Sequence, residues 1–198
     1  MQATITDINQ LDLEGTYTYA DYLKWRIKER IEIIRGKIFR MSPAPNTAHQ
    51  RISTRLLGAL YIHFKGSSCD LFSAPFDVRL FDTKRSDLSN QDIYTVVQPD
   101  LCIVCDSKKL DSRGCIGAPD LMIEILSPGN SEKEMNSKFK LYQDCGVREY
   151  WIVDPQKSAV LIYVLNEESK YVGLPPAMHS LSSTIFPDLK IDLEEVFQ

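Results

Sequence analysis

Apolar and polar positions alternate along this chain with two different periods, and the switches between them mark out the elements. Ile52, Leu56, Leu60 and Phe64 recur at every fourth position, which predicts a helix with one buried face. Thr47 and Gln50 stand at capping-box spacing at its start, and Gly66-Ser67-Ser68 closes it. Met135, Lys138, Phe139 and Tyr142 have the i, i+3, i+4, i+7 spacing of a second helix, opened by a Ser131/Glu134 capping pair and ended by Gly146. A short third helix begins at the Thr18/Asp21 pair and runs to about Trp25, with Tyr22 and Trp25 inward.

Elsewhere the pattern is that of strands. Residues 31–41 read as two strands around an Arg35-Gly36 turn. Residues 71–81 alternate, with Phe76, Val78 and Leu80 on one side and Asp77 and Arg79 on the other. Residues 101–105, 121–126, 149–153 and 159–165 are short apolar runs suited to buried strands. The last two are joined by a turn at Asp154-Pro155-Gln156-Lys157. Stretches 42–46, 82–91 and 106–117 are polar or broken by proline and read as loops. The final thirty or so residues carry a weaker pattern and end in a short helical segment, 193–197.

Strands outnumber helices, and the order predicts an α/β (mixed α+β) fold with a mixed central sheet flanked by helices. The length, 198 residues, suits one domain over 1–198, with the helix and hairpin of about 17–41 decorating its core. A chain this long can bury enough surface to fold without metal or disulfide. The net charge of −4 gives no global basic footprint, so any nucleic-acid contact must come from a local patch. Residues 1–13 are polar, with no apolar core for an export signal, and the five cysteines are odd in number. Both features suggest a reducing cytoplasm. No apolar run approaches the ~18 residues of a membrane span.

Three residues break the pattern in a chemically informative way. Glu124 lies inside Leu121-Met122-Ile123-Glu124-Ile125-Leu126, where a carboxylate is costly unless paired or metal-bound. A buried salt bridge, or a solvated strand face, is the alternative. Asp100 stands at the mouth of the neighbouring apolar run, and two carboxylates on adjacent strands suit Mg²⁺, which takes one or two and keeps several waters. Asp120 is a poorer partner: four residues before Glu124 on one strand, it lies about 13 Å away. Lys138 falls on the apolar face of its helix, where it either snorkels outward or holds an internal anion.

Other motifs carry less. Cys102 and Cys105 form C-x-x-C, but on a strand they point to opposite faces, so both read as core cysteines. His49, His63 and His179 lack metal-ligand spacing, and His49 reads at most as a support to the site. Tyr150 and Trp151 read as core. No G-x-S-x-G elbow and no Walker loop is present.

The block from Pro99 to Pro155 resembles the Uma2 family of restriction-endonuclease-type proteins. The resemblance rests on Pro99-Asp100, on Gly117-Ala118-Pro119-Asp120-Leu121-Met122-Ile123-Glu124-Ile125-Leu126-Ser127-Pro128, on Lys138 with Tyr142, and on Gly146-Val147-Arg148-Glu149-Tyr150-Trp151-Ile152-Val153-Asp154-Pro155. Upstream, Ile31-Glu32-Ile33-Ile34-Arg35-Gly36, Met41-Ser42-Pro43 and His49 match in type and order. The resemblance implies a restriction-endonuclease-like core of the PD-(D/E)xK class. It implies a Mg²⁺ ion, or Mn²⁺ in its place, held by Asp100, Glu124 and the Ile125 carbonyl. The class places a lysine two residues after the Glu, where this chain has Leu126. Lys138, from the following helix, matches the family's replacement and would orient or activate water and offset charge. Glu32 would complete the acidic cluster. The expected function is a metal-dependent endonuclease acting on DNA, as a homodimer. The alternative is a non-catalytic binding or assembly module on the same fold.

Overall fold

The computed structural model describes residues 4–41, 46–81, 89–127 and 132–198. In chain order the elements are α1 (Tyr19–Tyr22), β1 (Ile31–Ile34), β2 (Lys37–Arg40), α2 (Thr47–Phe64), β3 (Asp70–Ser73), β4 (Val78–Arg79), β5 (Val96–Val97), β6 (Leu101–Val104), β7 (Leu110–Asp111), β8 (Gly114–Ile116) and β9 (Leu121–Ile125). They continue with α3 (Glu132–Asp144), β10 (Glu149–Asp154), β11 (Ala159–Leu165), β12 (Tyr171–Gly173), β13 (Ser180–Ser182), β14 (Lys190–Asp192) and α4 (Leu193–Phe197). The mixed α/β class is as the sequence predicts. The strands, however, divide between two sheets of six, ordered β2-β1-β5-β4-β8-β7 and β12-β11-β10-β9-β6-β3, and a β13–β14 ribbon.

The second sheet forms the centre. β9 and β10 run parallel across the α3 crossover, while β6 and β11 flank them antiparallel. Alternation along these strands sorts their side chains to two cores. Leu101, Ile103, Leu121, Ile123, Ile125, Trp151 and Val153 face Ile52, Leu56, Leu60 and Phe64 of α2. Full burial of each such side chain contributes about 1.5–3 kcal/mol, so this stripe alone holds α2 in place. Cys102, Val104, Met122, Tyr150 and Ile152 face the other way, against Leu141 and Tyr142 of α3 and the first sheet's Val78, Val97 and Cys115. Glu124 falls on this second face, between Ile123 and Ile125, which belong to the first.

Several local expectations are corrected. The cap of α2 is Asn46 rather than a Thr47/Gln50 box: its side chain accepts the His49 N–H at 2.9 Å, as a strong N-cap residue does one position earlier. Residues 71–81 form two strands in different sheets, because Pro75 has no N–H for a ladder. Arg79 is not on a polar face but 1% exposed, forking onto Asp111 at 2.9 and 2.5 Å and lying over the Tyr19 ring. Residues 106–117 are not a plain loop; they contain the β7–β8 hairpin. Helix α1 ends at Tyr22, although Trp25 is buried as expected. Cys105 is bonded to Cys69 rather than free in the core. β3 pairs with β6 so that Asp70 faces Val104, and one more step brings positions 69 and 105 together. This disulfide removes the cysteine-based argument for a reducing compartment. The Ser131/Glu134 cap, and the 82–88 and 42–45 stretches, lie outside the described residues.

Candidate metal-dependent active site

Glu124, Lys138, Glu32 and Asp100 converge where the two sheets meet. The segment Gln98-Pro99-Asp100 joins β5 of the first sheet to β6 of the second. Leu101 pairs with Ile123, so one further step of the same register sets Asp100 opposite Glu124. On the same face α3 delivers Lys138, and four residues on, one turn later, Tyr142. From the first sheet, β1 delivers Glu32, which is 2% exposed.

The hydrogen bonds use one oxygen of each carboxylate. Lys138 Nζ donates to Glu124 Oε1 at 3.0 Å and to Glu32 Oε1 at 3.1 Å. The Tyr142 hydroxyl donates to Glu124 Oε1 at 2.6 Å, and the Gln98 N–H to Glu32 Oε1 at 2.9 Å. Asp100 Oδ2 takes the Ile125 N–H at 2.8 Å and lies 3.2 Å from His49 Nε2. Among the described residues, no donor is bonded to Asp100 Oδ1 or Glu124 Oε2. The buried side-chain polar atom left unpartnered among the described residues is His49 Nδ1.

Charge follows burial. Desolvation pushes Glu124 well above the ordinary carboxylate range; Lys138 pulls it down, while Asp100 and Glu32 add to the rise. For Lys138, desolvation acts downward, but the charges of Glu124 and Glu32 and their hydrogen bonds outweigh it and hold the amine above its usual value. Lys138 is therefore a fixed cation. For His49, burial lowers the pKa, yet the hydrogen bond and charge of Asp100, helped by the Ile125 carbonyl, leave it raised.

The set fits a hard divalent ion in one respect. Among the described residues one oxygen each of Asp100 and Glu124 has no protein donor, the two residues stand at opposed register positions of β6 and β9, and a buried carboxylate of raised pKa gains from a nearby cation. Among the described residues no group of three His, Cys, Asp or Glu side chains forms a ready-made metal cage. A site with two carboxylates, a carbonyl and waters falls below that count.

Asp120, set aside as a ligand, is held by the Cys105 N–H at 2.9 Å and by Arg148 at 3.0 Å. Tyr142 was legible as an inward residue, but its hydroxyl contact was not; its i+4 relation to Lys138 carried the signal. His49 reaches Asp100 directly, which its isolation in the sequence did not show. A further buried carboxylate, Glu149, serves structure: it is 0% exposed and takes the Trp151 indole N–H, the Ser183 hydroxyl and the Thr184 and Ile185 N–H groups.

Comparisons with known proteins agree with this fold. The family Uma2, described as "Putative restriction endonuclease", matches residues 19–194. An uncharacterized protein of Synechocystis sp., slr1290, is 26% identical over 157 residues, covering 78% of this chain and 77% of that protein. A crystal structure from Anabaena variabilis, described as a "putative nuclease belonging to DUF820", shares the fold with a TM-score of 0.70 at 19% identity, covering 91% of this chain and 97% of its own. No helix among the described residues is long and apolar enough to cross a membrane.

Proposed function

Because the chain belongs to the Uma2 family of restriction-endonuclease-type proteins, we propose that it is a metal-dependent nuclease that hydrolyses phosphodiester bonds in DNA. The observation that carries this reading is the meeting of Asp100, Glu124 and Lys138 at one seam, with Glu32 behind them. Asp100, Glu124 and the Ile125 carbonyl would hold Mg²⁺, with Mn²⁺ as a substitute. When bound, such an ion activates water and offsets charge on the phosphate.

The chain's own residues do the rest. Lys138 keeps its proton, so it acts as a cation beside the developing phosphate charge and not as the proton acceptor. Tyr142 fixes Glu124 Oε1, so that Oε2 would be the oxygen offered to the ion. The Ile125 N–H fixes Asp100 Oδ2 in the same way. Glu32 holds Lys138 from behind and lets it bridge two anions. Cutting both strands of a duplex would take two such sites, which favours a homodimer.

A non-catalytic module on this fold remains the competing reading, favoured by the net charge of −4. Nicking of supercoiled plasmid separates the two. The wild-type protein should nick with Mg²⁺ or Mn²⁺, EDTA should stop it, and Glu124→Gln should be inactive and bind Mn²⁺ more weakly by calorimetry. Nicking that persists in Glu124→Gln, or metal binding without any cleavage, would reject the catalytic reading.

A further inference from the structure

A cavity of about 380 Å³ adjoins this site and has no part in the roles assigned so far. Its walls are neighbours of the site residues. Leu126 follows Ile125, Met135 lies one turn before Lys138, and Ala48 precedes His49. Asp154, Pro155 and Gln156 close it from the end of β10. β9 and β10 are parallel, with Ile125 beside Val153, so the cavity sits outside the carboxyl ends of two parallel strands. That is where open α/β sheets commonly bind ligands. The volume falls at the lower end of small-molecule sites, about 300–1,000 Å³.

The lining says what would enter. Leu126, Met135 and Pro155 present apolar surface, and Leu126 stands where the nuclease class has its lysine, so no cation points in from that position. Asp154 is 8% exposed; its Oδ1 takes the Gln156 and Lys157 N–H groups, and its Oδ2 lies 3.4 Å from the exposed Lys157 ammonium. The second oxygen of Asp154, Oδ2, and the Gln156 amide suit the edge of a nucleobase, since a carboxylate oxygen accepts from an exocyclic amino group. Apolar side chains such as Leu126 and Met135 receive the face of an extruded base.

We propose that this cavity is a nucleobase pocket, taking the base next to the phosphate engaged at Asp100 and Glu124, with preference for bases that carry an amino group. The proposal rests on the nuclease reading for its biological sense, but its test does not require cleavage. Metal-free protein would be titrated with dCMP, dAMP, dGMP, dTMP and inorganic phosphate while NMR follows the methyl groups of Ala48, Leu126 and Met135.

Saturable shifts with dCMP, dAMP or dGMP, stronger than with dTMP and absent with phosphate, are expected. Ala48 is exposed on the first turn of α2, so Ala48→Phe should fold normally, fill the cavity and abolish the shifts. Gln156→Ala should weaken binding roughly 2- to 12-fold, the worth of one hydrogen bond. No saturable shift, equal shifts in Ala48→Phe, equal binding of dTMP, or reproduction by phosphate alone would overturn the proposal. Plasmid nicking without base binding sinks the pocket and spares the nuclease; base binding without nicking does the reverse.

Discussion

Replacing Lys138 by methionine tests the ionic cluster most directly. The methionine keeps the stem's volume and removes the charge that sits 3.0 Å from Glu124 and 3.1 Å from Glu32. The lysine and glutamate side chains are only 9%, 15% and 3% exposed, so solvent screens little of the loss. Removing one member of a buried ion pair costs about 3–5 kcal/mol, because the partner stays buried without compensation. For a chain of this length each kcal/mol lowers Tm by about 2–4 °C, so a fall of roughly 6–20 °C at pH 8 is expected.

The pH dependence gives the sharper discrimination. Glu124 already has a raised folded pKa, and losing Lys138 raises it further. A carboxylate whose folded pKa exceeds its unfolded value stabilises the fold at low pH, where both states are protonated. That contribution is lost as pH rises through the folded value. The deficit of the variant should therefore be largest at pH 8 and shrink as pH falls toward the ordinary glutamate value of 4.5. Urea unfolding at several pH values measures it, and the double variant with Glu124→Gln should recover part of the loss. A deficit under about 1 kcal/mol at pH 8, no larger than an exposed pair is worth, would refute the claim that Lys138 is the cluster's counterion. So would a deficit that does not change with pH.

Two further outcomes follow from single contacts. Gly114→Ala should abolish soluble expression or lower Tm sharply, since the added Cβ would lie 2.1 Å from the Asp77 carbonyl oxygen at a φ of +133°; a Tm within a few degrees of wild type by calorimetry would contradict it. Glu149→Ala should leave the Trp151 indole and the 183–185 donors buried without an acceptor and cost several kcal/mol in urea unfolding, and a loss near zero would show that water replaces the carboxylate.

The core was readable because period alone places it: the fourfold stripe of α2 and the apolar runs of β6, β9 and β10 are buried as the pattern requires. Glu124 and Lys138 were legible for the complementary reason, as charges where the period calls for apolar groups. What failed depended on partners distant in the chain. Arg79 read only as a residue on the side of its strand opposite Val78 and Leu80, because Asp111, its counterion, lies 32 positions later. Cys105 looked like a core thiol because the β3–β6 pairing that brings Cys69 to it is not written in either segment. His49 gave no local sign of its contact with Asp100, which only the docking of α2 onto the second sheet creates. A proline hidden in an otherwise clean alternation turned one expected strand into two.

The seam at Gln98-Pro99-Asp100 has a consequence for how this molecule breathes. The amide proton of Gln98 in it, and that of Ile125 at the end of β9, are bonded to the carboxylates of Glu32 and Asp100 rather than to a neighbouring strand. Their exchange with solvent deuterium is governed by the side chains that hold them, not by the fraying of a ladder. Any event that turns those carboxylates, whether an arriving cation or the parting of the two sheets, is thus written into the exchange rates of these two backbone positions, where it can be read without a substrate.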